Sequence, residues 1–210
     1  MSIKTPEDSR NLRQIQADDA RRRLIEAASA LFAERGYADS SVAAIGDAAG
    51  ASRGLVNHHF GSKENLLWAV IEAHIFEWEH DVVAPAIADK RGLGALKAMI
   101  FAHLELTQTK PERMFLLYRL MGEALDPRND LHDEFAELHK RWRELGLHWW
   151  NEGIEDGQID PGIDQDANAS MIIGSVRGMT FDWLIAPDSF DLEAAYQQFW
   201  DMLERFLAPR

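Results

Sequence analysis

Cysteine is absent from all 210 residues. Disulfide frameworks, thiolate nucleophiles and thiolate metal sites are therefore excluded together. No apolar run approaches the ~20 residues that a bilayer-spanning helix needs. The opening stretch, MSIKTPEDSRNLRQIQ, also lacks the apolar core of a signal peptide. A soluble, cytoplasmic protein without a membrane partner is the expectation. Strand-like alternation, internal repeats and low-complexity runs are all missing, which points to an all-helical chain. Enzyme signatures are missing too: there is no glycine-rich phosphate loop, no GxSxG and no HExxH. The run Gly174-Ser175-Val176-Arg177-Gly178 lacks the serine placement of a nucleophile elbow. Neither catalysis nor a cofactor is expected, and a small helical enzyme is the weaker rival reading.

Positive charge is scarce, with 22 Lys and Arg against 35 Asp and Glu and a net charge of −13. The deficit is not uniform. Residues 1–64 hold nine basic and nine acidic residues, whereas residues 65–210 hold thirteen and twenty-six. An acidic body keeps a protein soluble, and it also repels a polyanion from every face but the neutral one.

What is present is helix punctuation. Residues 1–16 mix charge, Pro6 and few apolar groups, and are expected to be a disordered arm. A long helix over about 18–35 has Leu24, Ala27, Ala28, Leu31 and Phe32 as its buried stripe, with Gly36 as its stop. The stretch from Ser41 to Lys63, SVAAIGDAAGASRGLVNHHFGSK, then reads as two short helices around a tight turn. Val42, Ile45, Ala48 and Ala49 form one buried face, and Gly50 supplies the turn. Ser52 is placed to cap the second helix, on which Val56 and Phe60 face inward. Arg53, Gly54, Asn57 and His58 face away. This is a helix-turn-helix pattern, whose outer face suits the major groove of DNA. Gly46 is expected only to adjust the packing between the two short helices.

Ser62, with Glu64 taken as the third residue of a capping box, opens a further helix that ends near Pro85 and connects head to body. Five more helices are expected at about 91–109, 112–125, 130–156, 165–186 and 191–207, divided by Lys110-Pro111, Asp126-Pro127, Gly157 to Gly162 and Ala186-Pro187-Asp188. The total is about nine.

Residues Leu24 to Val70 resemble the DNA-binding domain of the tetracycline-repressor (TetR) family of bacterial transcription regulators. The resemblance is carried by Ile25, Ala27, Ala28, Leu31-Phe32, Glu34-Arg35-Gly36-Tyr37, Ser41-Val42, Ile45, Ala49-Gly50, Ser52, Gly54, His59-Phe60 and Ser62-Lys63-Glu64. It implies a three-helix DNA-binding domain over 17–64 and a larger helical effector-binding and dimerisation domain over 65–210. On spacing alone the polar residues of the head are equally well read as solvated charges and caps; the resemblance favours DNA. The candidate contacts are then Arg53 to guanine, Asn57 to adenine, Leu55 to a thymine methyl, and His58 alongside. Gly54 allows close approach. Ser41, Ser52 and Lys63 stand at helix N-termini that favour phosphate, and Arg21, Arg22 and Arg23 can grip the backbone or reach a minor groove. The family usually has tyrosine where this chain has Asn57, so a compensating contact or an altered operator preference is expected.

In the body, seven Trp, ten Phe and seven Met supply large adaptable side chains. By resemblance a small-molecule pocket lies among the central helices. Residues with an apolar body and a polar tip are its candidate lining: His103, Tyr118, Arg119, Trp142, Trp149 and Arg177, with Met99 beside them. The same residues also suit an ordinary core. Gly174 and Gly178, with Met171 and Phe181, and then Tyr196, Phe199, Trp200 and Leu203, suggest a self-association surface forming a four-helix bundle, or else internal burial. His74, Glu77 and His80 invite a metal but rotate around their helix, and no metal is expected. The implied function is a homodimeric, ligand-responsive repressor on a palindromic operator. Its partners are double-stranded DNA, a second copy and an unidentified small-molecule effector. The alternative is a DNA-binding regulator controlled by a protein partner.

Overall fold

A computed structural model describes residues 6–129 and 131–209, with side chains from residue 14 onward. Ten α-helices follow in order: α1 Pro6–Arg35, α2 Val42–Ala48, α3 Arg53–Phe60, α4 Lys63–Trp78, α5 Ala84–Ile87, α6 Gly92–Thr109, α7 Pro111–Glu123, α8 Leu131–Glu155, α9 Gln165–Ile185 and α10 Leu192–Leu207. A π-helical turn, Glu79–Val83, joins α4 to α5. Counted as one run, these three make nine helices among the described residues, with no strand. The chain divides into two compact units, with the boundary between Ile75 and Phe76. That places the division inside α4 rather than at its start.

Two boundaries differ from the sequence reading. The first helix begins at Pro6, so residues 6–16 are helical instead of an irregular arm, while residues 1–5 lie outside the described residues. Proline is well suited to a first helical position. Side-chain pairs one turn apart support the exposed helix further along, including Gln14 donating to Asp18 at 3.0 Å. The helix expected to end near Pro85 instead continues past it to Ile87. Proline has no N–H for the helical ladder, and the ladder widens to a π turn immediately before it.

In the first unit α1 packs on α2 and α2 on α3. Leu24, Ala28, Phe32, Ile45, Val56, Leu66, Leu67 and Val70 are all fully buried. The loop between α1 and α2 is pinned by the buried Ser40, whose hydroxyl lies 2.7 Å from the Gly36 carbonyl and 3.1 Å from that of Leu31. Ser41 caps α2 by accepting from the Ala44 N–H at 3.1 Å, and Ser52 caps α3 by accepting from Leu55 at 3.2 Å. At the start of α4, Ser62 accepts from the Asn65 N–H at 3.0 Å. The third helical position is therefore Asn65, not Glu64. The Asn65 amide donates back to the Phe60 carbonyl at 2.9 Å, closing the end of α3.

The second unit is built on α6 packed against α8, with α7, α9 and α10 around them. Its core gathers Trp149, Trp150, Ile159, Ile172, Val176, Leu192, Tyr196, Trp200, Leu203 and Leu207 with one face of α6. A smaller cluster joins Trp78, Val83 and Ala102 with Met99, Leu106 and Trp142.

Gly50 takes φ 64°, a left-handed angle that fits the turn between α2 and α3. Gly46 does more than adjust packing. A Cβ there would stand 3.0 Å from the Ala51 carbonyl oxygen and 3.3 Å from the Ser52 carbonyl carbon, both in the backbone that delivers α3. Gly46→Val is expected to destabilise the protein by about 1–3 kcal/mol, as overpacking does. Urea denaturation measures this, and an unchanged midpoint would contradict the close approach.

Candidate nucleic-acid interface

α3 has only eight residues, so its orientation is set by what it rests on. Val56 and Phe60 anchor it inward, and the Ser52 cap and the Asn65 amide hold its two ends. Arg53, Gly54, Asn57 and His58 are consequently exposed along one side, with Leu55 half-buried beside them. Burial, with the neighbouring His58 and Arg21, holds the His59 imidazole below its ordinary pKa. No ion pair among the described residues engages Arg53, so its guanidinium is available to an external acceptor.

The other head cations are partly committed. Arg22 bridges Asp19 at 2.6 Å and Glu26 at 3.1 Å. Arg23 reaches Asp19 at 3.3 Å and the Ala49 carbonyl at 3.5 Å. Arg21 lies over the Phe60 ring, 5.4 Å from its centroid. Lys63 departs furthest from expectation. Its ammonium turns to the α1–α2 loop, donating to the Tyr37 carbonyl at 2.6 Å and to Ala38 at 3.3 Å, and sits 4.3 Å from the centre of the Tyr37 ring. Loop carbonyls without helical partners draw it inward as a brace.

The body residues separate into two groups. Trp149 belongs to the main core beside Trp150. Met99, Tyr118, Arg119, Trp142 and Arg177 are partly buried. His103 is also partly buried. Its Nδ1 is 2.9 Å from the Tyr196 hydroxyl, which is 2.8 Å from the buried Thr180 hydroxyl. Tyr118 donates to the Arg177 carbonyl at 3.2 Å. Arg177 lies 5.5 Å over the Trp142 ring and donates to His139 Nδ1 at 3.0 Å. Thr180, His139 and Trp78 were not singled out from the sequence. Thr180 and Trp78 have ordinary helical context, and only the fold brings the polar groups of Thr180 and His139 into line.

The expected self-association residues also divide. Met171, Gly174, Gly178 and Phe181 are exposed along one stripe of α9, which Ile185 extends. Phe199 is half-buried. Tyr196, Trp200 and Leu203 are corrected: they are buried in the protein's own core. α10 is apolar on two sides, and its outward side is instead Phe199, Met202 and Phe206. His74 faces Ser29 at 3.2 Å, Glu77 pairs with Lys110 and Arg113, and His80 pairs with Asp81. Among the described residues, no helix is long and apolar enough to cross a membrane, and no group of three or more His, Asp or Glu is placed to hold a metal ion.

A family model for bacterial regulatory proteins of the tetR family matches residues 24–70. A second model, the C-terminal domain of BetI-type transcriptional repressors, matches residues 93–208. The HTH-type transcriptional regulator AcrR of Shigella flexneri is 28% identical over 188 residues, covering 85% of this chain and 84% of its own. Among solved structures, a TetR transcriptional regulator from Chloroflexus aurantiacus superposes with a TM-score of 0.77 at 25% identity, over 90% of this chain and 96% of that one. The SmeT–triclosan complex shares the fold, with a TM-score of 0.76 at 21% identity over 90% and 91%.

Burial lowers the His103 pKa from 6.5 to about 4, and the nearby Arg177 charge acts in the same direction. The unfolded chain therefore takes up this proton first. The stability contributed by neutral His103 is complete above pH 6.5 and is lost as the pH falls toward 4, by roughly 3 kcal/mol at most. His103→Gln is expected to flatten the pH dependence in this window, measured by urea denaturation at stepped pH. Parallel profiles for the two proteins would contradict a neutral, partly buried His103.

Proposed function

The chain belongs to the TetR family of bacterial transcriptional regulators, and from that premise we propose that it binds a palindromic operator as a homodimer and is released by a small-molecule effector. The observation that carries DNA recognition is the exposed side of α3, where Arg53, Gly54, Asn57 and His58 line a helix whose opposite side is buried. Arg53 offers a fork for guanine, and the Asn57 amide fits adenine. Gly54 lets the backbone ride close to the base edges. The exposed ends of Ser41 and Ser52 and the Arg21 to Arg23 ridge complete the phosphate contacts. Lys63 is assigned a bracing role instead.

A single eight-residue helix covers too few base pairs for a genomic address, and two copies related by symmetry solve this. The outward stripe of α9, Met171, Gly174, Gly178, Phe181 and Ile185, together with Phe199, Met202 and Phe206 of α10, supplies an apolar surface for a second copy. A Cβ at either glycine would meet nothing within 4 Å, so a partner helix can approach closely there. The partly buried Arg177 over Trp142 and the cluster of Met99, Leu106, Trp78 and Trp142 support an effector site in the body. The solved SmeT–triclosan complex, a fold neighbour, holds a small molecule. An effector seated in the body acts on DNA through α4, whose residues fall in both compact units.

Selection from randomised DNA is expected to return an inverted repeat bound by two protomers, with affinity falling steeply with salt. Asn57→Ala is expected to weaken the selected site by about 1–3 kcal/mol and relax preference at one position of each half. Recovery of an unrelated, asymmetric set of sequences would overturn the operator reading. Gly178→Glu is expected to convert the dimer to monomer in sedimentation analysis and to abolish operator binding at nanomolar concentrations. A persistent dimer would place the self-association surface elsewhere.

A further inference from the structure

Arg177 differs from two other partly buried arginines of the body. Arg113 and Arg143 are each held by a carboxylate, Glu77 at 2.7 Å and Asp166 at 2.8 Å. No ion pair among the described residues includes Arg177, although acids outnumber bases twenty-six to thirteen over residues 65–210. Its neighbours are a histidine nitrogen, an indole ring and a tyrosine, and burial works against its charge. A cation withdrawn from water without a counter-ion is costly unless a partner arrives.

The Tyr196 hydroxyl lies 2.9 Å from His103 Nδ1 and 2.8 Å from the Thr180 hydroxyl, and it donates to the Val176 carbonyl at 3.4 Å. The indole N–H groups of Trp78 and Trp142 are buried without an acceptor, as are those of Trp150 and Trp200 in the main core. Donors and one positive charge thus await acceptors, beside an apolar wall of Met99, Leu106 and Trp142.

We propose that the effector is an amphipathic organic acid, whose anionic group pairs with Arg177 while its apolar body lies against Trp142, Met99 and Leu106. This rests on the reading that the body binds a small-molecule effector, and it names that effector's chemical class. A planar guanidinium engages a carboxylate through two parallel hydrogen bonds, which a neutral or cationic analogue cannot match.

The test uses the full chain and three probe acids, phenylacetate, octanoate and dodecanoate, each with its alcohol and primary-amine counterpart. Calorimetric Kd values and release of selected operator DNA are measured for the unaltered protein, Arg177→Gln and Arg177→Lys. At least one acid is expected to bind roughly 10- to 100-fold more tightly than its alcohol, with the amine weakest, and to release DNA. Arg177→Gln removes that gap without weakening the alcohol, and Arg177→Lys restores part of it. Circular dichroism melts establish that both variants fold, and the comparison of acid with alcohol in the unaltered protein stands whether or not they do. Equal or tighter binding of the alcohols or amines overturns the proposal alone, as does a gap that survives Arg177→Gln. If no probe of any charge binds or releases DNA, both this proposal and the ligand-responsive reading fall.

Discussion

Everything at the DNA-facing end depends on one constraint: α3 is too short to be a helix by itself. Eight residues form barely two turns, and isolated helices of that length are not stable in water. Its existence is therefore borrowed from Val56 and Phe60 below it and from the caps at either end. The α2–α3 turn is held tightly enough that even a methyl group at Gly46 would press on the Ala51 backbone. A reading helix supported this way has one orientation, and its outer side chains can be spent on recognition because none is needed for support.

Most of this was legible in the sequence because it rests on local rules. The caps at Ser41 and Ser52, the turn at Gly50 and the inward Val56 and Phe60 each follow from a residue type at a fixed offset. The body helices were legible within a residue or two for the same reason, since Pro111, Gly157 and Pro187 punctuate them. What was not legible depends on tertiary partners. Nothing local tells Lys63 to turn toward Tyr37 and Ala38 rather than toward solvent. A proline ordinarily signals a stop, and the π turn that carries the chain past Pro85 has no local signature. The capping residue Ser62 was identified correctly, but its partner was displaced by one position to Asn65.

α10 shows the same limit in sharper form. Leu192, Tyr196, Trp200, Leu203 and Leu207 recur at helical spacing, and so do Phe199, Met202 and Phe206. Periodicity identifies both stripes and cannot say which one the protein buries. The fold decides by volume and by hydrogen bonding. Tyr196 goes inward, where its hydroxyl meets Thr180 and His103, and no comparable polar partner exists for the outward phenylalanines. A helix saturated on both sides is costly for a monomer in water, since the second stripe stays wet. The cost would disappear if a second copy covered it, as the proposed dimer requires.

A ligand can shift a conformational equilibrium only by as much as its affinity differs between the two states. Fully satisfied cores offer little such difference, because every polar group already has its partner. Among the described residues, the body departs from full satisfaction at a guanidinium without a carboxylate, Arg177, and at the indole N–H groups of Trp78, Trp142, Trp150 and Trp200, which have no acceptor. Trp78 ends α4, and the π turn begins at the next residue. Of the unmet groups, Trp78 therefore sits where the helix shared by the two units changes its hydrogen-bonding pattern. A molecule that satisfied the Trp78 N–H would act at that change of pattern, and the same incompleteness would supply the free-energy difference that the proposed switch requires.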